Sequence, residues 1–188
     1  MRRAARQLNF LKTMNVSTRL DHGGDIGKGR RKTMRPFSPK RPLHLVLRSS
    51  QARGSRSLLH PKFACKVEQL IQRHSKKYHV QVYRKVNVGN HLHLIVQAKT
   101  RKDFQSFLRA LTGAIAFLIT GACKSNPLSS RFWDKLAYSR VVSWGREFDL
   151  LHRYLVKNMF EAHGFWNRKR EQDLELVWIS MKEAGFTP

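Results

Sequence analysis

The six residues His91-Leu92-His93-Leu94-Ile95-Val96 constrain the chain most, because histidine alternating with leucine and then the β-branched Ile95 and Val96 is the pattern of a strand with one buried face. A second segment behaves the same way: Leu43, Leu45 and Leu47 alternate with His44, Val46 and Arg48, predicting a strand over 43–49. If the leucines and Val96 face a core, then His44, Val46, Arg48, His91, His93 and Ile95 share the opposite surface. Between these strands, Pro61 stands where a helix can begin, and Phe63, Val67, Leu70, Ile71 and His74 recur at helical spacing over 62–77. Residues 79–86 alternate again through Val80, Val82, Arg84 and Val86, and Asn87-Val88-Gly89-Asn90 connects them to 91–96 as a hairpin. Phe104, Phe107, Leu108, Leu111, Ile115 and Leu118 then mark a helix over 102–120, followed by a short strand over 137–143 and a helix over 147–160.

The order β-α-β-β-α-β plus a further helix is that of an α+β ferredoxin-like, or RRM-like, antiparallel sheet with two helices on one face. The expected boundaries are a basic flexible arm over 1–41, a folded part over 42–165, and an accessory amphipathic helix within 166–188 marked by Leu174, Val177, Trp178 and Met181. Residues 1–41 hold 12 Lys+Arg against 2 Asp+Glu, and Gly23, Gly24, Gly27 and Gly29 interrupt any period. The whole chain carries a formal charge of +25, so the folded part is basic in its own right. Such a balance fits a polyanionic partner and argues against a neutral-metabolite enzyme. The longest uncharged run, Ala110 to Cys123, has 14 residues, too short to span a bilayer. Two cysteines, Cys65 and Cys123, imply neither a disulfide framework nor a zinc site of the CxxC type. The expectation is a cytoplasmic protein with no membrane partner, associated with the nucleoid when bound to DNA.

Two histidines at i and i+2 on a strand put both imidazoles on one face, about 7 Å apart at Cα, near enough to converge on a divalent ion. His91 and His93 have that spacing, in the most apolar strand of the chain, where an imidazole without a role is costly to bury. A site of this kind needs another donor. Tyr154 and Asn158 stand one helical turn apart, so one helix presents a phenol nucleophile and a carboxamide ligand together. His152 lies nearly half a turn away from Tyr154 and is a weaker ligand candidate. Arg48 and His44 on the open face, with Lys157 nearby, are candidates for contact with backbone phosphates. Lys76, Lys77, Arg84 and Lys85 form a candidate cluster for nucleic-acid phosphates, and Trp144 and Trp166 for stacking on bases.

The run Lys85-Val-Asn-Val-Gly-Asn-His-Leu-His-Leu-Ile-Val96 resembles the signature strand of the HUH single-tyrosine transposases, including the REP-associated tyrosine transposases, whose usual form is Pro-Asn-His-x-His. Phe132-Trp133, Tyr138 and Val141-Val142 resemble that family's Trp-containing segment and following strand. Tyr154-Leu-Val-Lys-Asn158 resembles its Tyr-Ile-x-x-Asn-Pro helix. The resemblance covers 42–165 and departs from the pattern at Gly89, Met159 and His163. It implies a catalytic helix near the open sheet face, and Mg²⁺ or Mn²⁺ held by His91, His93 and Asn158, with His163 as an alternative third ligand. It further implies that Tyr154 cleaves single-stranded DNA beside a hairpin through a 5′-phosphotyrosine, in a monomer or homodimer. The competing expectations are a non-catalytic, domesticated binder of single-stranded or hairpin nucleic acid on the same sheet, and a metal-dependent hydrolase of small phosphates.

Overall fold

A computed structural model describes residues 20–26, 34–123 and 125–164; the expected accessory helix and Trp166 lie outside the described residues. In chain order the elements are β1 (Asp21–His22), β2 (Leu43–Arg48), α1 (Pro61–Lys77), β3 (Val80–Asn87), β4 (His91–Ala98), α2 (Arg101–Thr120), β5 (Tyr138–Val141) and α3 (Arg146–Ala162). Among the described residues one sheet contains all five strands in the order β1-β5-β2-β4-β3, with every neighbouring pair antiparallel. The α+β class, and the β-α-β-β-α-β order of β2 through β5, are as the periodicities predict.

Helices α1 and α2 begin where side chains can satisfy free backbone donors. Pro61 opens α1, whose Lys62 N–H donates to His60 Nδ1, and Lys76 and Lys77 complement the dipole at its end. Thr100 Oγ1 accepts from the Asp103 N–H to start α2, and Gly121, at φ 69°, closes it in the left-handed region. Phe63, Val67 and Ile71 of α1 and Phe104, Phe107, Leu111 and Ile115 of α2 bury against Leu43, Leu45, Leu47, Leu92, Leu94 and Val96. That assembly is the main core. On the opposite sheet face Phe148, Leu151 and Leu155 of α3 pack on Val86, Ile95 and Val142, a second and smaller core. Helix α3 therefore lies against the surface that carries the odd-numbered residues of the His91–Gln97 run.

Two features differ from the sequence expectation. Within the segment expected to be an arm, Asp21 and His22 pair with Arg140 and Ser139 and extend the sheet. Gly23 permits that pairing: at φ 80°, a Cβ would fall 2.2 Å from the Ala137 carbonyl oxygen. The second difference is a β-bulge in β3 between Val82 and Arg84. Unbroken alternation would keep Val80, Val82, Arg84 and Val86 on one face. Instead Val80 and Val82 join the main core while Tyr83 and Val86 join the α3 side, the shift an extra residue imposes.

Candidate active site

Strand β4 turns His91, His93, Ile95 and Gln97 toward the α3 side, and the β2 register sets Arg48 opposite His91, Val46 opposite His93 and His44 opposite Ile95. His44 is thus one diagonal step from His93. The two rings stack nearly parallel with centroids 5.4 Å apart, and His44 Nε2 lies 3.2 Å from His93 Nδ1. The His91 ring meets His93 edge-on at 4.8 Å, and its Nδ1 lies 2.6 Å from Asn90 Oδ1. Helix α3 then brings Tyr154 edge-on to His93, with centroids 6.2 Å apart and an interplanar angle of 87°. One turn further along the helix, Asn158 is buried, and its Nδ2 has no hydrogen-bond partner among the described residues. His93 Nε2 is likewise buried and unpartnered among them.

Burial keeps these imidazoles uncharged. It pushes His44 down to about 3, aided by the Arg140 charge, and His91 down to about 4, aided by Arg48. His93 is held well below the ordinary histidine range by burial and then by its two histidine neighbours. Neutral imidazole is the form that binds a divalent cation. Among the described residues no three His, Cys, Asp or Glu side chains group as a metal site, so a cation here needs a donor of another kind. The buried Asn158 offers a carboxamide oxygen of that kind, and His93 Nε2 is a buried imidazole nitrogen with no partner among the described residues.

A buried ion-pair network adjoins the histidines. Arg140, 4% exposed on β5, bonds through Nη2 to Glu147 Oε1 at the first turn of α3, and its Nε lies 3.8 Å from Asp21 Oδ1 on β1. Glu147 Oε2 also accepts the Ser143 N–H at 2.8 Å, and Tyr138 donates its hydroxyl to Asp21 at 3.0 Å. Burial raises both the Asp21 carboxyl and the Tyr138 phenol, the latter further through the Asp21 charge. Arg140 thereby ties the start of the tyrosine-bearing helix to the strand beside His44.

The expected site residues separate into three groups. His44, His91, His93 and Tyr154 come together, with Arg48 exposed beside His91 and its Nε 4.0 Å from Asp134 Oδ2. Lys157 is half-buried on α3 and His163 exposed at its end. His44 is only 4% exposed and turned against His93, so the direct DNA contact expected of it is not open to its ring. The expected basic cluster is split: Lys85 pairs with Glu68 of α1 on the far face, Lys76 and Lys77 end that helix, and the bulge turns Arg84 to the α3 side beside His152. Trp144 donates its indole N–H to the Lys40 carbonyl and meets Tyr83 edge-on. Asn90, Arg140, Glu147 and Asp21 have no site role predicted from the sequence, and of these only Asn90, next to His91, carries a local signal.

Comparison with known proteins places the chain in a family. A family model described as "Transposase IS200 like" matches residues 40–158, the span that holds both histidines, the tyrosine and Asn158. The chain belongs to the IS200-like transposase family. A solved structure of a REP-associated tyrosine transposase bound to a REP hairpin aligns at 15% identity and TM-score 0.47, covering 73% of this chain and 76% of that one. A candidate transposase from Deinococcus radiodurans aligns at 16% identity and TM-score 0.43, covering 69% of this chain and 98% of that one. No curated protein matches. No helix among the described residues is long and apolar enough to cross a membrane.

Proposed function

We propose that this transposase cleaves and rejoins single-stranded DNA beside a hairpin, with Tyr154 as nucleophile and His91, His93 and Asn158 as ligands of Mg²⁺ or Mn²⁺. The observation that carries the reading is the Tyr154 ring set edge-on to His93, on the sheet face where the neutral imidazoles of His44, His91 and His93 meet. Tyr154 Oη attacks the scissile phosphorus, a phosphorus–phenolate bond forms, and the bond to the 3′ oxygen breaks. The phenol loses its proton and the leaving oxygen gains one, giving a 5′-phosphotyrosine and a 3′-hydroxyl. Attack by a 3′-hydroxyl on that phosphotyrosine reverses the exchange and completes strand transfer. A phenol of ordinary pKa near 10 is a weak nucleophile at neutral pH. When bound, the cation supplies polarisation of the phosphate and neutralisation of charge in the transition state. Arg48, exposed beside His91, holds flanking backbone, and the chain's +25 charge draws the polymer in.

The test is incubation of the full chain with end-labelled hairpin DNA bearing single-stranded flanks, with and without Mn²⁺ or Mg²⁺. The expected result is a denaturation-resistant protein–DNA adduct that needs the cation and is lost in Tyr154→Phe and in the double variant His91→Ala/His93→Ala. An adduct that survives in Tyr154→Phe refutes the assignment. Salt-sensitive binding without any adduct favours a non-catalytic nucleic-acid binder instead.

A further inference from the structure

We infer that Asn90 and His44 are a matched pair of positioning residues that fix the imidazole tautomers of His91 and His93, so that each ring keeps its proton on Nδ1 and its lone pair on Nε2. This rests on the metal reading above and deepens it. For His91 the direction of the bond follows from chemistry: the atom 2.6 Å from its Nδ1 is a carboxamide oxygen, which only accepts, so Nδ1 carries the proton. A neutral imidazole has one proton, and Nε2 is then the basic nitrogen.

His93 has no carboxamide at the equivalent place. The residue before it is Leu92, whose side chain is buried on the helix side of the sheet. Its Nδ1 faces His44 Nε2 at 3.2 Å instead, and one proton lies between the two nitrogens. If His44 donated it, His93 would carry its own proton on Nε2, a buried atom with no acceptor among the described residues. A buried donor without a partner loses its hydrogen bond to water and gains none in return. If His93 donates, its Nε2 is left as a lone pair, which is the state a cation ligand needs. The arrangement is rigid: His44 and His93 are both nearly fully buried, stacked within 10° of parallel, and His44 is braced edge-on by Tyr138 at 6.1 Å. Outer partners of this kind set ring orientation and basicity in metal-binding histidines, and losing one typically lowers metal affinity about 10–100-fold.

The experiment has two readouts on the full chain. Long-range ¹H–¹⁵N correlation spectra of the metal-free protein report which imidazole nitrogen of His91 and His93 is protonated, and titration with Mn²⁺ alone gives its affinity. The expected spectra show Nδ1–H for both histidines. His44→Phe, which keeps a flat ring and removes the acceptor, and Asn90→Ala should each weaken Mn²⁺ binding about 10–100-fold with an unchanged circular dichroism spectrum. His44→Gln restores an acceptor oxygen and should recover part of the loss. An Nε2–H tautomer at His93, or a His44→Phe affinity within about twofold of wild type, overturns the inference while leaving the metal reading intact. Wild-type protein that takes up no Mn²⁺ overturns the metal reading, and this inference with it.

Discussion

Removing Glu147 tests whether the tyrosine-bearing helix is anchored as the structure implies. Glu147→Ala deletes a charge-assisted bond to buried Arg140 and the acceptor for the Ser143 N–H. A bond to a charged group contributes about 1.5–3 kcal/mol, and a further hydrogen bond to a backbone N–H about 1 kcal/mol. Arg140 keeps a carboxylate at 3.8 Å in Asp21, so the change stops short of stranding a buried charge. The expected loss is therefore about 2.5–4 kcal/mol, and at about 2–4 °C per kcal/mol for a chain of this size the Tm falls by about 5–16 °C. Thermal and urea unfolding followed by far-UV circular dichroism measure it, with Glu161→Ala as the control. Glu161 is exposed at the other end of the same helix, and its loss should stay within about 0.5 kcal/mol. Adduct formation by Glu147→Ala at a temperature where it is still folded should fall more than DNA binding does, since the helix carries the nucleophile. A stability loss under about 1 kcal/mol, or one equal to the Glu161 control, refutes the anchoring argument.

Two other expectations follow from placement. Burial, with Arg84 beside it and Asp149 opposing, lowers His152 to about 4, below its unfolded value of about 6.5. Between these values the unfolded chain binds the proton and the folded chain does not, so the stabilisation held above pH 6.5 is lost as the pH falls toward 4. His152→Gln should lose less stability than wild type across that window in urea unfolding, and parallel curves would contradict the assignment. Arg48→Ala should weaken binding of single-stranded DNA and reduce the slope of log K against log salt by about 0.7, one phosphate contact. Lys85→Ala, on the far face and paired with Glu68, should leave the slope unchanged in the same anisotropy titration; equal effects would mean that DNA reaches both faces.

The strands and helices were legible because their signals are local and periodic. Leu43, Leu45 and Leu47 or Phe104, Phe107 and Leu111 can satisfy only one kind of element, and their observed spans begin within a residue or so of the expected ones. Strand β3 was read in part only. An extra residue leaves the composition of a strand unchanged and reverses its faces, so Val80 to Val86 reads as uniform alternation until the pairing partner is known. Strand β1 was missed for a different reason: two residues before a Gly-Gly pair have no period, and they become a strand only because β5 offers an edge.

The candidate site divides along the same line. Groups assigned to the chemistry stand in short runs, His91-Leu92-His93 on one strand and Tyr154 through Asn158 on one helix, since neighbouring register positions are the simplest way to aim side chains at one point. Groups that hold them arrive from remote sequence: His44 against His93 across 49 positions, and Asp21 against Tyr138 across 117. Arg140 on its own reads as a solvated strand residue, because neither Ser139 nor Val141 hints at a carboxylate. It becomes a buried tie only when Glu147 on the next helix and Asp21 on an edge strand close around it. A polar residue alternating into the inner face of an otherwise apolar strand is the trace such ties leave in sequence. By that criterion His44 and Arg140, opposite one another in the β2–β5 register, were a pair to be asked about together.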